Sequence, residues 1–508
     1  MSGRVDAIVI GAGPNGLTAA LRLARAGRSV VVCEAQERPG GAVKTERLLL
    51  DGFLTDTFSA VYPAGAASPV FRRLPLEEHG LRWVQPPVAM AHPMPDGRAG
   101  ALYQDLAATV DNLNGLHPGD GDAWARFVTP YLDNIDALRR TVLGGFPPLR
   151  GGLALAAGMG LNGVLEFARL LLLPAARLAE ELFEGAHARA WLYGSVLHGD
   201  VPADEAGSAI AGGYLQILGH AAGWPSPQGG AGRLIDALVS YLRLLGGEVR
   251  LSTPVTRIVS DGRRVAGVVT AGGERLRAPI VIADTTPHAL LRLTGARMPA
   301  VYAQRLARYR YGPRTVKMDW ALDGPVPWTA PEARLAGTVH VGGPAEAVIA
   351  QTSAVRRGEI PERPFMLFGQ QSLADPTRAP TGKHTAWAYT RVPAQVAGAE
   401  AVTAHAERMT DQVERFAPGF RDLVLARHLQ GPEDLQEGDA NLVGGDVGGG
   451  TYALDQVVFR PLPALVPYAT PIRGLWLGSA ATFPGGAVHG VPGWAAAGYA
   501  LAASRIGR

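Results

Sequence analysis

The residues best placed to do chemistry come early in the chain. Gly11, Gly13 and Gly16 stand in the spacing GxGxxG, between an apolar run at 5–10 and a segment of helical periodicity ending near Gly27. A second apolar run at 29–33 delivers Glu34. Each residue type has a task. Gly11 permits a tight turn, Gly13 lets a pyrophosphate approach the backbone, and Gly16 lets helix and strand pack closely. The helix that opens at Pro14 and Asn15 offers free N–H groups and a positive dipole end to a phosphate. Glu34 can accept both hydroxyls of a ribose. A bare GxGxxG is a weak signal, but here it sits in a full strand–helix–strand frame with the acid in place. An adenine dinucleotide follows, with NAD and FAD both compatible so far.

Those elements belong to a chain of 508 residues, long enough for two or three domains. The 65 glycines and 39 prolines imply many tight turns. The formal net charge is +3, and only Lys44, Lys317 and Lys383 are lysines, so arginine carries nearly all the positive charge. No basic run interleaves with aromatics, which argues against nucleic acid as a partner. Cys33 is the single cysteine and is expected in the core. It permits no disulfide within the chain, no CxxC redox pair and no cysteine metal cluster, and no metal site is expected. The apolar run at 5–10 leads straight into glycines, unlike a leader segment. The most apolar stretch, 151–182, is interrupted by Asn162, Glu166, Arg169 and Pro174, which argues against a spanning helix.

The segment after the second strand, "ERPGGAVKTE", brings Arg38 and a second glycine pair, Gly40 and Gly41, to the same place as the first loop, flanked by Ala35 and Ala42. It resembles the FAD-binding segment of the amine-oxidase and phytoene-desaturase flavoproteins. The stretch "GEVRLSTPVTRIVSDGRRVAGVVTAGGERLRAPIVIAD" resembles their second cofactor-contacting segment, which implies that Val255 meets the adenine through its backbone. "GLWLGSAATFPGGAVHGVPGWAAAGYALA" is similar to the carotenoid-desaturase signature near the C-terminus, which places Ser479, Ala480, Gly490, Val491 and Pro492 at the flavin. The resemblance covers nearly the whole chain. It departs from the family pattern at Phe483, where a histidine is usual, at Ser479 and Ala481, where glycines are usual, and at Gly448 and Gly449, which replace a bulkier pair.

The resemblance implies an α/β fold. A discontinuous Rossmann-type FAD-binding domain (1–75, 226–295 and 431–508) would carry a mostly helical insertion at 76–225, facing substrate or membrane, and an antiparallel-sheet substrate domain at 296–430. The implied cofactor is FAD. The implied activity is hydride transfer from an apolar, isoprenoid-like small molecule to flavin N5, with oxygen or a quinone reoxidising the flavin. No second GxGxxG frame exists for a pyridine nucleotide, and a cysteinyl flavin is excluded because the late motif has no cysteine. The alternatives are an amine oxidase and a flavin-binding interaction protein without turnover.

Two residues stand out as candidate catalysts. Lys317 lies in "YGPRTVKMDWAL", similar to the strand whose lysine faces flavin N5 through water in monoamine-oxidase-type enzymes; the bland alternative is a lysine paired with Asp319 and pointing to solvent. His489 could move a proton or bond the flavin, or be held by backbone. Trp320, Phe368, Trp387 and Tyr389 could line an aromatic channel, with Tyr452 at its mouth and Phe483 near the flavin, although aromatics on strands are more often core. His187 and His198 read as surface or packing residues. The 151–182 stretch reads as buried, with a tunnel wall and a membrane-surface patch as alternatives. The expected setting is cytoplasmic, with peripheral membrane contact left open.

Overall fold

The computed structural model describes residues 4–199 and 201–506. Its nucleotide half is a five-stranded parallel sheet in the order Leu475–Leu477, Ile280–Ala283, Ala7–Ile10, Val30–Cys33, Glu248–Arg250. The inner strands are short Val/Ile runs because they are covered on both faces. Alternation sorts their side chains. Ala7, Val9, Val30, Val32, Ile280 and Ile282 pack under the helices Pro14–Arg25, Gly232–Leu244 and Val491–Ile506. Ile8, Ile10, Val31, Cys33 and Val281 face the small antiparallel sheet of Val255–Ser260, Val265–Thr270 and Arg275–Arg277. Cys33 is a core residue there, and burial pushes its thiol up to about 11.

The second half is a seven-stranded sheet, ordered Val424–Gln430, Arg314–Leu322, His384–Val392, Met366–Gly369, Ala336–Val341, Val88–Pro93, Ala99–Leu102. Its last two strands come from the segment expected to be mostly helical. They are short, and "VAMAHP" carries no clean alternation because all of its residues are buried. Val88–Pro93 pairs parallel with Ala336–Val341, so the sheet is mixed rather than purely antiparallel. On one face Val316, Met318, Trp320 and Leu322 pack with the helix Gly398–Phe416. The other face turns toward the nucleotide half and the helix Ala186–Val196. Gly100 and Gly194 let that helix settle: a Cβ at Gly100 would lie 2.9 Å from Trp191, and one at Gly194 would lie 2.5 Å from His340 Nδ1.

A two-stranded ribbon, Thr45–Glu46 with Thr55–Asp56, joins the halves. Asp56 is fully buried and ion-paired with Arg378. Its other oxygen accepts from Thr45 Oγ1 at 2.7 Å and from Ala231 N–H at 2.9 Å. Nearby Asp375 accepts from Gly229 N–H at 2.6 Å. The segment around Asp375 and Arg378 therefore ties the sheet to the ribbon.

The helix Leu149–Leu170 departs from the expectation of burial. Leu153, Leu161 and Leu165 are 72 %, 76 % and 60 % exposed, and Leu172 just beyond is 62 % exposed. The helix is broken at Gly160, with φ 69° and ψ 179°.

Removing one partner of a buried ion pair leaves the other charge unsolvated, at a cost of about 3–5 kcal/mol. Arg378→Met is expected to lower stability by roughly that amount. Circular-dichroism melting checks it, and an unchanged unfolding midpoint would mean that the pair does not lock the ribbon.

Candidate active site

The glycine motif forms a cradle of bare backbone. A Cβ at Gly16 would lie 2.1 Å from Gly11 O, and one at Gly13 would lie 3.0 Å from Asp284 Oδ2. Gly11, Gly40 and Gly41 have φ of 98°, 135° and 54°. Among the described residues, the N–H groups of Gly13, Asn15, Gly41 and Ala42 find no protein acceptor. Four such donors beside the start of Pro14–Arg25 suit a pyrophosphate. Glu34 is buried, and its two oxygens accept from Ala12 N–H at 2.7 Å and Gln36 N–H at 2.9 Å. Each oxygen retains a lone pair for a ribose hydroxyl. The segment leading to Val255 runs beside it, with Thr253 N–H donating to Glu34 O at 2.7 Å. Ala35 and Arg38 lie exposed at the same strand end.

The C-terminal motif closes over this cradle. The helix Val491–Ile506 starts against the start of Pro14–Arg25: a Cβ at Gly493 would lie 1.8 Å from Asn15 O, and Thr18 Oγ1 donates to Gly490 O at 2.7 Å. Both ring nitrogens of His489 bond backbone in this arrangement. Its Nδ1 accepts from Val491 N–H at 3.2 Å, so Nε2 carries the hydrogen and donates to Gly486 O at 3.0 Å. Burial pulls its pKa down to about 4, which leaves a neutral imidazole that fixes the loop before Val491 and Pro492. Ser479 Oγ accepts from Ala481 N–H at 3.3 Å, and Ala480 O accepts from Arg460 at 3.1 Å.

Facing the cradle from the seven-stranded sheet is a row set by period two. Thr315, Lys317, Asp319 and Ala321 share one side of their strand, beside Tyr389 and Trp387 on the next. Lys317 is buried and donates to both oxygens of Asp319, at 2.6 and 2.5 Å. The pairing with Asp319 is present, but both groups lie inside rather than in solvent. Burial raises the Asp319 carboxyl against the pull of Lys317. Trp320 and Phe368 must be removed from the pocket. They point to the opposite side of the sheet and stack on each other in the core, with centroids 5.6 Å apart. Trp387 and Tyr389 stay on the cradle side and stack on each other at 5.9 Å. Phe483 is buried edge-on against Phe146 at 5.2 Å.

A cleft of about 490 Å³ opens at the end of this row. Tyr389, Leu367, Phe365 and Val201 line it, together with Arg310, Arg314, Arg356 and Arg391. Thr451 and Ala453 form part of its wall. Tyr452 lies between them, and its hydroxyl would be 2.6 Å from a Cβ at Gly486, so the cleft adjoins the closing loop.

The chain matches the family described as flavin containing amine oxidoreductase over residues 101–492, and an NAD(P)-binding Rossmann-like domain over 9–74. The chain belongs to the flavin-containing amine oxidoreductase family. It is 30 % identical to pyridine nucleotide-disulfide oxidoreductase domain-containing protein 2 of Rattus norvegicus, over 96 % of this chain and 92 % of the relative. It is 25 % identical to the lycopene-forming phytoene desaturase of a Paracoccus strain, over 97 % and 96 %. Cyclohexylamine oxidase from Brevibacterium oxydans shares the fold, with TM-score 0.59, 18 % identity and full coverage of both chains. The protein is an FAD-dependent oxidoreductase of this amine oxidase and desaturase superfamily.

The residues present fit FAD. The free N–H groups at Gly13, Asn15, Gly41 and Ala42 suit its pyrophosphate, Glu34 its ribose, and the converging helix starts the flavin end. Three residues here were not singled out in the sequence. Arg460 is fully buried without an acid among the described residues, and its Nη2 donates to Gly450 O and Thr451 O at 2.8 and 2.7 Å. Asp446 gathers Gly312, Gly448 and Gly450 N–H groups at 2.7–2.9 Å. Together they shape the glycine run 448–450 behind the closing loop. "GGDVGGG" is the signal that could have found Asp446, since a carboxylate among glycines often collects turn N–H groups. Asp284 ends the strand Ile280–Ala283 and accepts from Gly16 N–H at 2.8 Å. His187, by contrast, bonds Asp96 near the surface at 2.9 Å, while His198 is packed inside.

Burial, reinforced by Asp439 and Glu34, raises the Asp284 carboxyl to about 8. The folded protein therefore keeps a proton that the unfolded chain releases above about pH 4. The stability from this group is full below that pH and is lost as pH rises through about 8. Asp284→Asn, which keeps the acceptor, is expected to raise the melting midpoint more at pH 8 than at pH 5, by about 2 °C or more. Equal shifts at both pH values would show that the carboxyl does not titrate there.

Proposed function

We propose that this oxidoreductase dehydrogenates an apolar small molecule, removing a hydride and a proton from adjacent carbons. The observation that carries the reading is the charge of the cleft. Four guanidiniums line it, and among the described residues the one carboxylate in its lining, Glu205, is paired with Arg356. A cationic amine entering such a cleft meets like charge and, among the described residues, no unpaired carboxylate. Trp387 and Tyr389 stack on each other instead of facing across a gap, so they form no aromatic cage. The amine-oxidase reading loses support for both reasons. Leu197, Val201, Val355, Phe365, Leu367 and Val392 give the rest of the wall much apolar surface, and its volume suits a small ligand.

When bound, FAD supplies the hydride acceptor, and oxygen or a quinone takes the electrons onward. The chain's own residues exclude water and fix charge. Lys317 is ion-paired with Asp319, and the pair lies buried on the cradle side of the sheet. We assign it a role in setting the potential at the reacting face rather than that of a free base. Tyr389 and Leu367 supply apolar surface beside it.

The substrate's chemistry also explains the exposed leucines. The broken helix Leu149–Leu170 ends next to the cleft rim: Gly207 N–H bonds Leu172 O at 3.2 Å and Ala176 N–H bonds Ala203 O at 2.8 Å, while Val201, Pro202 and Glu205 line the cleft. The two halves on either side of Gly160 are each about 15 Å long, half of a hydrocarbon core. They are suited to lie on a lipid surface that supplies an apolar substrate.

Three outcomes are expected. Anaerobic mixing of the FAD-loaded protein with a panel of lipophilic alkenes, carotenoid precursors and alkylamines should bleach the flavin with one of the apolar compounds and with none of the amines. Bleaching by the amines alone would make the protein an amine oxidase, and retained FAD that nothing bleaches would favour a binding role without turnover. Lys317→Met in an Asp319→Asn background, which leaves no buried unpaired charge, should slow that bleaching by roughly tenfold or more; a normal rate would take Lys317 out of the mechanism. Replacing Leu153, Leu161 and Leu165 with Gln should abolish co-sedimentation with phosphatidylglycerol vesicles, and equal recovery of both proteins in the pellet would rule out docking through this helix.

A further inference from the structure

The four cleft arginines are not equivalent. Arg310 is paired with Asp455 at 2.5 Å, Arg314 with Glu433 at 2.6 Å, and Arg356 with Glu205. Arg391 has no carboxylate partner among the described residues. Its Nη1 donates to Thr315 Oγ1 at 2.7 Å, its guanidinium lies 5.4 Å from the Tyr389 ring centroid, and its Nε is buried without an acceptor. The imidazoles nearby offer no compensation. His198 bonds His340 Nε2 to Nε2 at 2.9 Å, and burial holds both well below their ordinary pKa, with the Arg391 charge adding to the effect on His198.

A half-buried guanidinium at a cleft wall, without a carboxylate of its own among the described residues, is free to take an anion from outside. Thr315 and Tyr389 fix its plane, and the cleft takes up the space in front of it. Arg391 shares the strand face of Tyr389, which pairs with Lys317; Arg391 itself pairs with Thr315, one face-step toward the cleft. A ligand gripped at Arg391 would therefore extend along Tyr389 toward the Lys317–Asp319 pair and the closing loop.

We propose that Arg391 is the anchor for a carboxylate at one end of the apolar substrate, so that the substrate class is a lipophilic acid. This rests on the dehydrogenation reading above and deepens it. A planar carboxylate can take two parallel N–H donors from one guanidinium. The unmatched charge also explains how a cleft with so few free polar groups could orient an otherwise featureless chain: one fixed end sets which carbons reach the reacting face.

The test uses three chain-matched probes, decanoate, 1-decanol and decylamine, titrated calorimetrically into the FAD-loaded protein. Decanoate is expected to bind at least about tenfold more tightly than decanol, and decylamine most weakly. Arg391→Met should bring decanoate down to the level of decanol and leave decanol unchanged, with FAD content confirming that the variant is folded. Arg391→Lys should keep part of the preference. Arg314→Met, which removes an already paired guanidinium, should keep all of it. Equal binding of decanoate and decanol, or a preference that survives Arg391→Met, overturns the anchor but leaves the dehydrogenation reading standing. Tightest binding by decylamine overturns both.

Discussion

The structure depends on backbone meeting backbone where the two ends of the chain converge. Gly16 lets the first helix press on Gly11, and Gly493 lets the last helix press on Asn15, at distances that a Cβ would forbid. Two helix N-termini then open onto one place, and their positive ends add. No side chain could provide this, since any side chain at Gly16 or Gly493 would occupy the space that makes the approach possible. The locks around it are short and local: Thr18 on Gly490 O, His489 across 486–491, and Ser68 Oγ on His489 O at 2.6 Å. The chain thus brings residues nearly 480 positions apart into one nucleotide site.

Much of that half was legible in the sequence. The strand–helix–strand frame, Glu34 and the late glycine motif have local signatures, because each task belongs to residues close together in the chain. The substrate half was less legible. Trp320 and Trp387 look alike as strand aromatics, and only the register of Arg314–Leu322 against His384–Val392, with helix Gly398–Phe416 behind, decides that one is core and the other faces the cradle. Lys317 could be found by its rarity, but its buried lock on Asp319 is a tertiary fact. His489 illustrates the same limit: its neighbours in sequence do not reveal that both ring nitrogens are spent on backbone. The strands Val88–Pro93 and Ala99–Leu102 were hidden because a sheet buried on both faces loses the alternation that marks a strand.

Two charge pairs are buried where the two layers meet, Lys317 with Asp319 and Asp56 with Arg378. Burial makes such pairs weak as stabilisers but strict as positioners, because either partner alone is expensive. Arg460 is held differently. It is buried with three backbone carbonyls and, among the described residues, no acid, so its charge is spread over dipoles that belong to the loops behind the closing motif. Those loops cannot shift independently without leaving the guanidinium unsolvated, which makes a run of flexible glycines behave as a rigid wall.

The cleft and the broken helix then form one continuous problem in solvation. On the proposed reading a lipophilic substrate would leave an apolar phase, cross a rim built from residues 201–205 and reach a cleft in which Arg391 is the guanidinium without a carboxylate partner among the described residues. Burying its body costs nothing, since hydrocarbon passes from one apolar surround to another. Orientation is the difficult step, because an apolar wall holds a uniform chain equally well in many registers. The proposed anchor at Arg391 would resolve this at small cost to entry: it would act on one end, leave the rest free to slide against Tyr389 and Leu367, and disfavour the cation that an amine would bring. The closing loop borders the far side of the cleft, where the Tyr452 hydroxyl lies close enough to Gly486 to leave no room for a Cβ.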